Sequence, residues 1–97
     1  MSAPGTIQRP DVAGPESKRG KPWKVIVLND SHNTFDHVAH VLARYIPGIT
    51  IDAGYRMADR IHESGRAVVW SGEKEHAELY WEQLQSAGLT MAALTQD

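Results

Sequence analysis

Two short runs of β-branched and aromatic residues, one on each side of a long helical pattern, constrain the fold of this chain more than any other feature. The first run is Trp-Lys-Val-Ile-Val-Leu at residues 23–28, and the second is Arg-Ala-Val-Val-Trp at residues 66–70. Each run is too short for a stable helix and stops at turn-forming residues, so each predicts a β-strand. Because apolar residues recur at helical spacing between the runs, helices must connect these two strands.

Helix start and stop signals divide the rest of the sequence into three helices and a last strand. A threonine precedes each of the first two helices, and a glycine follows the second and the third. We predict helices over residues 35–46, 51–64 and 73–87, and a short apolar strand over residues 89–94. In the third helix, the side chains expected to face inward are Leu79, Tyr80 and Leu84. The order βααβαβ predicts an α/β fold of the α+β type, a sandwich in which a three-stranded antiparallel sheet packs against the helices.

The first 22 residues differ in composition from the rest of the chain. Four of the five prolines lie there together with three of the eight glycines, and no aromatic residue does. Such a segment cannot bury enough apolar surface to offset the entropy lost on ordering, so residues 1–22 are predicted to be a disordered extension. One folded domain is expected over residues 23–97.

Composition excludes several classes of function. A net charge of −2 gives no basic surface for sequence-independent nucleic-acid binding. The absence of cysteine removes disulfides, thiolate metal sites and cysteine nucleophiles. No apolar run approaches the roughly 18 residues of a membrane span, and the N-terminus lacks the apolar core of a signal peptide. We therefore expect a soluble, cytoplasmic protein with no nucleic-acid or membrane partner.

Histidine is notably frequent for so short a chain, with five copies. Asp36, His37 and His40 lie within about one helical turn of each other, and Asp30 or His62 could supply a third metal ligand. A small metal-dependent hydrolase is therefore one hypothesis. The alternative is a solvated polar helix face, because no complete ligand motif such as His-Glu-x-x-His is present.

A second polar set lies at the ends of two predicted elements. Asn29 and Asp30 form the turn after the first strand, and His62 lies in the last turn of the second helix. If these two places meet, their amide, carboxylate and imidazole acceptors would suit an ammonium group. A purely structural role, in which Asn29 and Asp30 build the turn and His62 caps the helix, explains the same residues. The residues alone leave both interpretations open.

Three segments of the chain resemble the ClpS family, adaptors that deliver substrates to Clp AAA+ unfoldases. They are Trp-Lys-Val-Ile-Val-Leu-Asn-Asp at 23–30, Ile-His-Glu-Ser-Gly-Arg-Ala-Val-Val at 61–69, and Glu-His-Ala-Glu-Leu-Tyr-Trp-Glu-Gln-Leu-Gln-Ser-Ala-Gly-Leu at 75–89. Tyr-Ile-Pro-Gly-Ile-Thr at 45–50 and Ala-Gly-Leu-Thr-Met-Ala-Ala-Leu at 87–94 are most similar to the cyanobacterial and plastid branch, whose usual unfoldase is ClpC. The resemblance implies a non-enzymatic adaptor.

The resemblance also implies a pocket for the first residue of an N-degron, a substrate with a bulky apolar N-terminal amino acid. The α-amino group would be bound by Asn29, Asp30 and His62, and Ser31 stands where the family often has a second acid. The side-chain pocket would be formed by Val27, Ser31, Asn33, Phe35, Val38, Ala58, Ile61 and Thr90. Phe35 occupies the gatekeeper position that excludes β-branched side chains, so the expected ligands begin with Leu, Phe, Tyr or Trp.

The expected partners are a Clp AAA+ unfoldase of the ClpC or ClpA type and proteins or peptides that carry such an N-terminus. The resemblance places the unfoldase contact at Glu75, Glu78 and Tyr80, and implies that the unfoldase engages residues 1–22 during delivery. We expect a monomer without cofactor or metal. Two alternatives remain open: an interaction module similar to the C-terminal domain of the ribosomal stalk protein, which shares this element order, and the metal-dependent hydrolase.

Overall fold

The computed structural model describes residues 20–96, and within them it contains three helices and four strands. In chain order these are β1 (Trp23–Leu28), α1 (Phe35–Tyr45), α2 (Ile51–Ser64), β2 (Arg66–Gly72), α3 (Lys74–Ser86), β3 (Thr90–Met91) and β4 (Thr95–Gln96). The predicted order of the first five elements is confirmed. Most of the predicted extension, residues 1–19, lies outside the described residues. None of the helices in residues 20–96 combines the length and apolarity needed to cross a bilayer.

β1 lies in the centre of an antiparallel sheet. β2 pairs with it along its whole length, from Trp23 opposite Gly72 to Leu28 opposite Arg66, with one irregularity in register near Val69. On its other side β1 pairs with β3 near its end and with β4 near its start. The antiparallel sheet and the α+β class agree with the prediction.

The last part of the sheet differs from the single strand predicted over residues 89–94. β3 and β4 both pair with β1, but in registers one residue apart. Between them the Ala92 backbone N–H donates to the Ile26 carbonyl at 3.0 Å, whereas the Ala92 carbonyl accepts from the Trp81 indole N–H at 2.7 Å. Because α3 engages this carbonyl, the ladder is interrupted, and the sheet of the described residues has four strands rather than three.

The helix ends form through the local signals that the sequence contains. The Thr34 hydroxyl accepts from the His37 backbone N–H at 3.0 Å, and the Thr50 hydroxyl accepts from the Ala53 backbone N–H at 3.1 Å. Each threonine satisfies a donor that the first helical turn would otherwise leave unpaired. Gly65 ends α2 with a φ of 87°, a conformation that strains other residues.

The core lies between one face of the sheet and the three helices, and α3 contributes a stripe of four side chains. The buried residues of that stripe are Ala77, Tyr80, Trp81 and Leu84. The prediction that Leu79 faces inward is wrong, because its side chain is 48% exposed. Successive helical residues are rotated by about 100°, so a helix that buries Tyr80 and Trp81 turns the residue before them outward.

The backbones of α1 and α2 are in close contact where Gly54 meets Ala39. An added Cβ at Gly54 would lie 2.6 Å from the Ala39 carbonyl oxygen, which is too close for any side chain. This crossing brings the start of α1 to the end of α2, where the rings of Phe35 and His62 are in contact. The candidate site forms at this end of the helix pair.

Candidate functional site

A depression opens between the end of β1, the start of α1, the end of α2 and the turn before β3. It holds about 290 Å³ of empty space, including the solvent at its mouth. Its lining residues are Val27, Leu28, Asn29, Asp30, Asn33, Phe35, Val38, Ala58, Ile61, Leu89 and Thr90. Seven of the eight predicted side-chain contacts are therefore brought together, as are two of the three predicted amine contacts. Ser31 and His62 are not in the lining.

The floor of the depression is apolar. Val27, Val38, Ala58 and Ile61 are all buried, and they come from β1, α1 and α2. Leu89 belongs to the same floor and was not predicted, although it directly precedes a predicted pocket residue and lies in an apolar segment. A pocket walled in this way binds an aliphatic or aromatic side chain by removing its surface from water.

Asp30 is the centre of a hydrogen-bond network at the polar end of the depression. Its Oδ1 accepts from the backbone N–H groups of His32 at 3.1 Å and Asn33 at 2.8 Å. Its Oδ2 accepts from the Asn33 side-chain amide at 2.6 Å and from the Thr90 hydroxyl at 2.8 Å. A carboxylate has about four acceptor positions, so these four donors use its capacity within the protein.

This network keeps Asp30 ionised although its side chain is only 13% exposed. Burial acts to raise the pKa of the carboxyl, but the hydrogen bonds from Asn33, Thr90 and His32 outweigh it and hold the pKa well below its usual range. The depression therefore has a fixed negative charge at one end. Because its lone pairs are used, Asp30 attracts a cation by charge rather than by a free acceptor position.

Replacing Asp30 with asparagine is expected to lower the free energy of unfolding and to make it depend less on pH in the acid range. Since the folded-state pKa is depressed, the carboxylate stabilises the native state above pH about 4, and this contribution is lost as the pH falls further. Asp30→Asn should cost about 1–3 kcal/mol at pH 7, because an amide nitrogen faces donors. Urea unfolding between pH 7 and pH 2.5 measures both effects, with the exposed Asp59→Asn as control. Equal acid sensitivity of parent and Asp30→Asn would contradict this role.

Asn33 ties two distant turns together. Its side-chain amide donates to Asp30 Oδ2 and also to the Gly88 carbonyl at 2.9 Å. Beside it, His37 Nε2 lies 2.8 Å from the Ala87 carbonyl oxygen. These contacts join the start of α1 to the turn after α3. The rim of the depression is therefore held by three separate parts of the chain before any ligand arrives.

Asn29 and His62 flank the mouth. The Asn29 backbone N–H donates to the Gly65 carbonyl at 2.9 Å, which ties the end of β1 to the end of α2. His62 lies in the last turn of α2, is exposed, and contacts the Phe35 ring with 5.3 Å between ring centroids. Ser31 is exposed and contributes no lining surface. Asn29 thus lies in the lining beside the fixed carboxylate, and the His62 imidazole lies against Phe35.

The residues of the metal hypothesis have other partners. The Asp36 carboxylate accepts from the Tyr55 hydroxyl at 2.7 Å, and His40 Nδ1 lies 2.7 Å from the Asp36 carbonyl oxygen. His37 is occupied by Ala87, as described above. Within residues 20–96 no three histidine, aspartate or glutamate side chains converge as a metal site would require.

The residues predicted to contact an unfoldase differ in exposure. Glu75 is exposed on the first turn of α3, and Glu78 is partly exposed one turn later. Tyr80 is only 9% exposed and packs edge-on against Trp70 at 5.0 Å between ring centroids. The two acids therefore offer surface to a partner, whereas Tyr80 stabilises the core.

An apolar depression with a fixed negative charge at its rim suits the chemistry of a small amphipathic group. The model of the family described as "ATP-dependent Clp protease adaptor protein ClpS" matches residues 18–92. The chain therefore belongs to the ClpS family of Clp protease adaptors.

Individual relatives support this assignment. A ClpS adapter protein of Nostoc sp. is 56% identical over 72 residues, which cover 74% of each chain. A chloroplastic Clp protease adapter protein of Chlamydomonas reinhardtii is 36% identical over 92 residues, which cover 93% of this chain and 56% of that protein. Among solved structures, Agrobacterium tumefaciens ClpS2 bound to L-phenylalaninamide superposes with a TM-score of 0.70 at 29% identity. The match covers 81% of this chain and 100% of the other.

Proposed function

We propose that the depression binds the first residue of N-degron substrates and that the protein delivers them to a Clp AAA+ unfoldase of the ClpC or ClpA type. The observation that carries the binding proposal is the combination of a buried apolar floor with an ionised, hydrogen-bonded Asp30 at its rim. A protein N-terminus has the matching chemistry, because it places an ammonium group one bond away from the carbon that carries the side chain. Few other groups on a protein surface offer both.

The bound ligand of the structural neighbour supports this proposal. L-phenylalaninamide, which is bound to Agrobacterium tumefaciens ClpS2, consists of an α-amino group, an aromatic side chain and an amide. It is therefore the smallest mimic of an N-terminal phenylalanine. The floor of the depression in this chain, formed by Val27, Val38, Ala58 and Ile61, is of suitable character for such a side chain.

The three predicted amine contacts have different roles in this proposal. Asn29 and His62 offer the α-ammonium group direct acceptors, an amide oxygen and an imidazole nitrogen. Asp30 contributes its negative charge through a network that is already complete. Since no covalent step follows binding, the proposal needs neither a nucleophile nor a general base, and the protein acts without enzymatic activity.

The delivery step in this proposal is tethering. Holding the substrate at the depression and the unfoldase at the start of α3, around Glu75 and Glu78, raises the effective concentration of the degron near the translocation pore. We propose that residues 1–22 are the segment that the unfoldase engages. We propose the cytoplasm as the place of action.

Peptides that differ only in their first residue test the binding proposal. Leu, Phe, Tyr and Trp at the first position are expected to bind, because burying such a side chain contributes about 1.5–3 kcal/mol. Ile and Val should bind at least about tenfold more weakly, because a branch at Cβ meets the Phe35 ring at the mouth, a difference of about 1.4 kcal/mol. Fluorescence anisotropy with one labelled peptide and unlabelled competitors measures the series.

Two further measurements separate the parts of the proposal. Phe35→Ala should reduce the discrimination between Leu and Ile, because it opens the wall against which the branch packs. Turnover of reporter proteins by a Clp AAA+ protease should follow the same order of first residues as peptide binding. Equal binding of all first residues would overturn the pocket assignment, whereas selective binding without selective turnover would overturn delivery alone.

A further inference from the structure

His62 differs from the other four histidines in what holds its ring. His37 and His40 each lie within hydrogen-bond distance of a backbone carbonyl, and His32 and His76 each lie near a carboxylate. Within residues 20–96 the His62 imidazole has no hydrogen bond or ion pair. Both of its ring nitrogens are therefore available to a ligand, and neither holds the ring in place.

The contact that does hold the ring is with Phe35. The two ring centroids lie 5.3 Å apart with an interplanar angle of 65°, an edge-to-face arrangement. Phe35 is the first residue of α1 and His62 is in the last turn of α2, so the contact bridges the two helices at the mouth. Edge-to-face pairs are favoured by enough to change a rotamer population by about 2- to 12-fold.

Phe35 is 41% exposed at the start of α1. Phe35 lines the depression, and its ring also contacts that of His62. A leucine or methionine at position 35 could form the same wall for a substrate side chain. Neither would provide an aromatic ring for the imidazole.

We infer that Phe35 is a positioning residue for His62: its ring holds the imidazole in the orientation in which a ring nitrogen meets the substrate α-amino group. The side-chain pocket and the amine site are then coupled through one aromatic contact. This inference rests on the proposed N-degron function. It adds that recognition of the α-amino group depends on Phe35, the residue that also forms a wall of the apolar pocket.

A double-mutant cycle tests this coupling. Dissociation constants of one Leu-initiated peptide are measured for the parent, Phe35→Leu, His62→Ala and the double variant. We expect Phe35→Leu to weaken binding by about 2- to 12-fold in the parent. In the His62→Ala background Phe35→Leu should cause less than about half of that fold-change in the dissociation constant, since the imidazole that Phe35 orients is gone. Equal effects in both backgrounds would overturn the inference, because Phe35 would then act on the side-chain pocket alone.

Phe35→Tyr is the conservative variant: it keeps an aromatic ring at the mouth, so it should restore most of the binding that Phe35→Leu loses. A second measurement needs no ligand: NMR of the free protein shows whether the His62 side chain populates one χ1 rotamer or several. One χ1 rotamer is expected in the parent and in Phe35→Tyr, and averaging is expected in Phe35→Leu. If the parent does not bind the peptide, the proposed function fails, and the NMR comparison still decides whether Phe35 orders His62. An ordered His62 in Phe35→Leu would overturn the inference.

Discussion

N-acetylation of a Leu-initiated peptide is expected to weaken its binding to this protein strongly. Acetylation removes the positive charge and two of the three N–H donors of the α-amino group, so Asn29 and His62 would face a ligand that cannot satisfy them. An acceptor left unpaired costs about 1–3 kcal/mol, so the loss of two contacts should weaken binding at least about 30-fold. The repulsion between the acetyl carbonyl oxygen and the ionised Asp30 adds to this loss. Isothermal titration of the free and acetylated peptides measures the difference.

Two controls make the acetylation result specific. A peptide acetylated on an internal lysine loses the same charge but keeps its α-amino group, and it should bind as the unmodified peptide does. His62→Ala should weaken binding of the free peptide far more than binding of the acetylated one, because only the free amine uses the imidazole. Equal affinities of the free and N-acetylated peptides for the parent protein would remove the rim residues from ligand recognition.

Replacing Gly54 with alanine is expected to destabilise the protein by roughly 3 kcal/mol, at the upper end of the range for overpacked sites. Inside an exposed helix the same change would stabilise by about 1 kcal/mol, because alanine is the better helix former. Here the new Cβ would lie 2.6 Å from the Ala39 carbonyl oxygen and 3.1 Å from its carbonyl carbon and Cα. All three atoms belong to the backbone, so the whole helix α1 must move away. Urea unfolding followed by tryptophan fluorescence measures the loss.

The same substitution is expected to weaken N-degron binding. Val38 and Ala58 line the depression from α1 and α2, and Phe35 meets His62 across the same helix pair, so separating the helices disturbs both the floor and the rim. Ser64→Ala is the control: it adds helix propensity at an exposed position of α2 and should change stability by less than about 0.5 kcal/mol. A Gly54→Ala protein as stable as the parent would show that the helix crossing adapts freely.

The sequence by itself determined which segments are strands and which are helices. The spacing of apolar residues indicated whether each segment is a helix or a strand. Thr34, Thr50 and Gly65 marked helix ends that form through contacts within a few residues. These signals are local, because a cap or a left-handed glycine acts on its own turn of backbone. The order of elements and most of their ends could therefore be predicted without knowing how they pack.

Two predictions were wrong, the inward orientation of Leu79 and the single last strand. Leu79 and Tyr80 are neighbours of similar apolarity, but Tyr80 belongs to the buried stripe of Ala77, Trp81 and Leu84 at helical spacing, and that stripe turns Leu79 outward. The last apolar segment was predicted as one strand, but the Trp81 indole engages the Ala92 carbonyl and splits it. The split of the last strand depends on a contact between elements, which no short window of sequence contains.

For the candidate site too, one part could be predicted from the sequence and another part required the tertiary structure. The ClpS resemblance identified most of the residues of the depression by position, and the structure brings eleven lining residues together from four parts of the chain. Only the tertiary structure showed their contacts: Asp30 accepts hydrogen bonds from Asn33 and from Thr90, which is 60 residues away, and among residues 20–96 the His62 ring contacts that of Phe35. The physical reason is that a hydrogen bond or a ring contact forms or fails on differences in distance of a few tenths of an ångström. Those distances are set by how the helices cross and where the turns meet, after the local structure has formed.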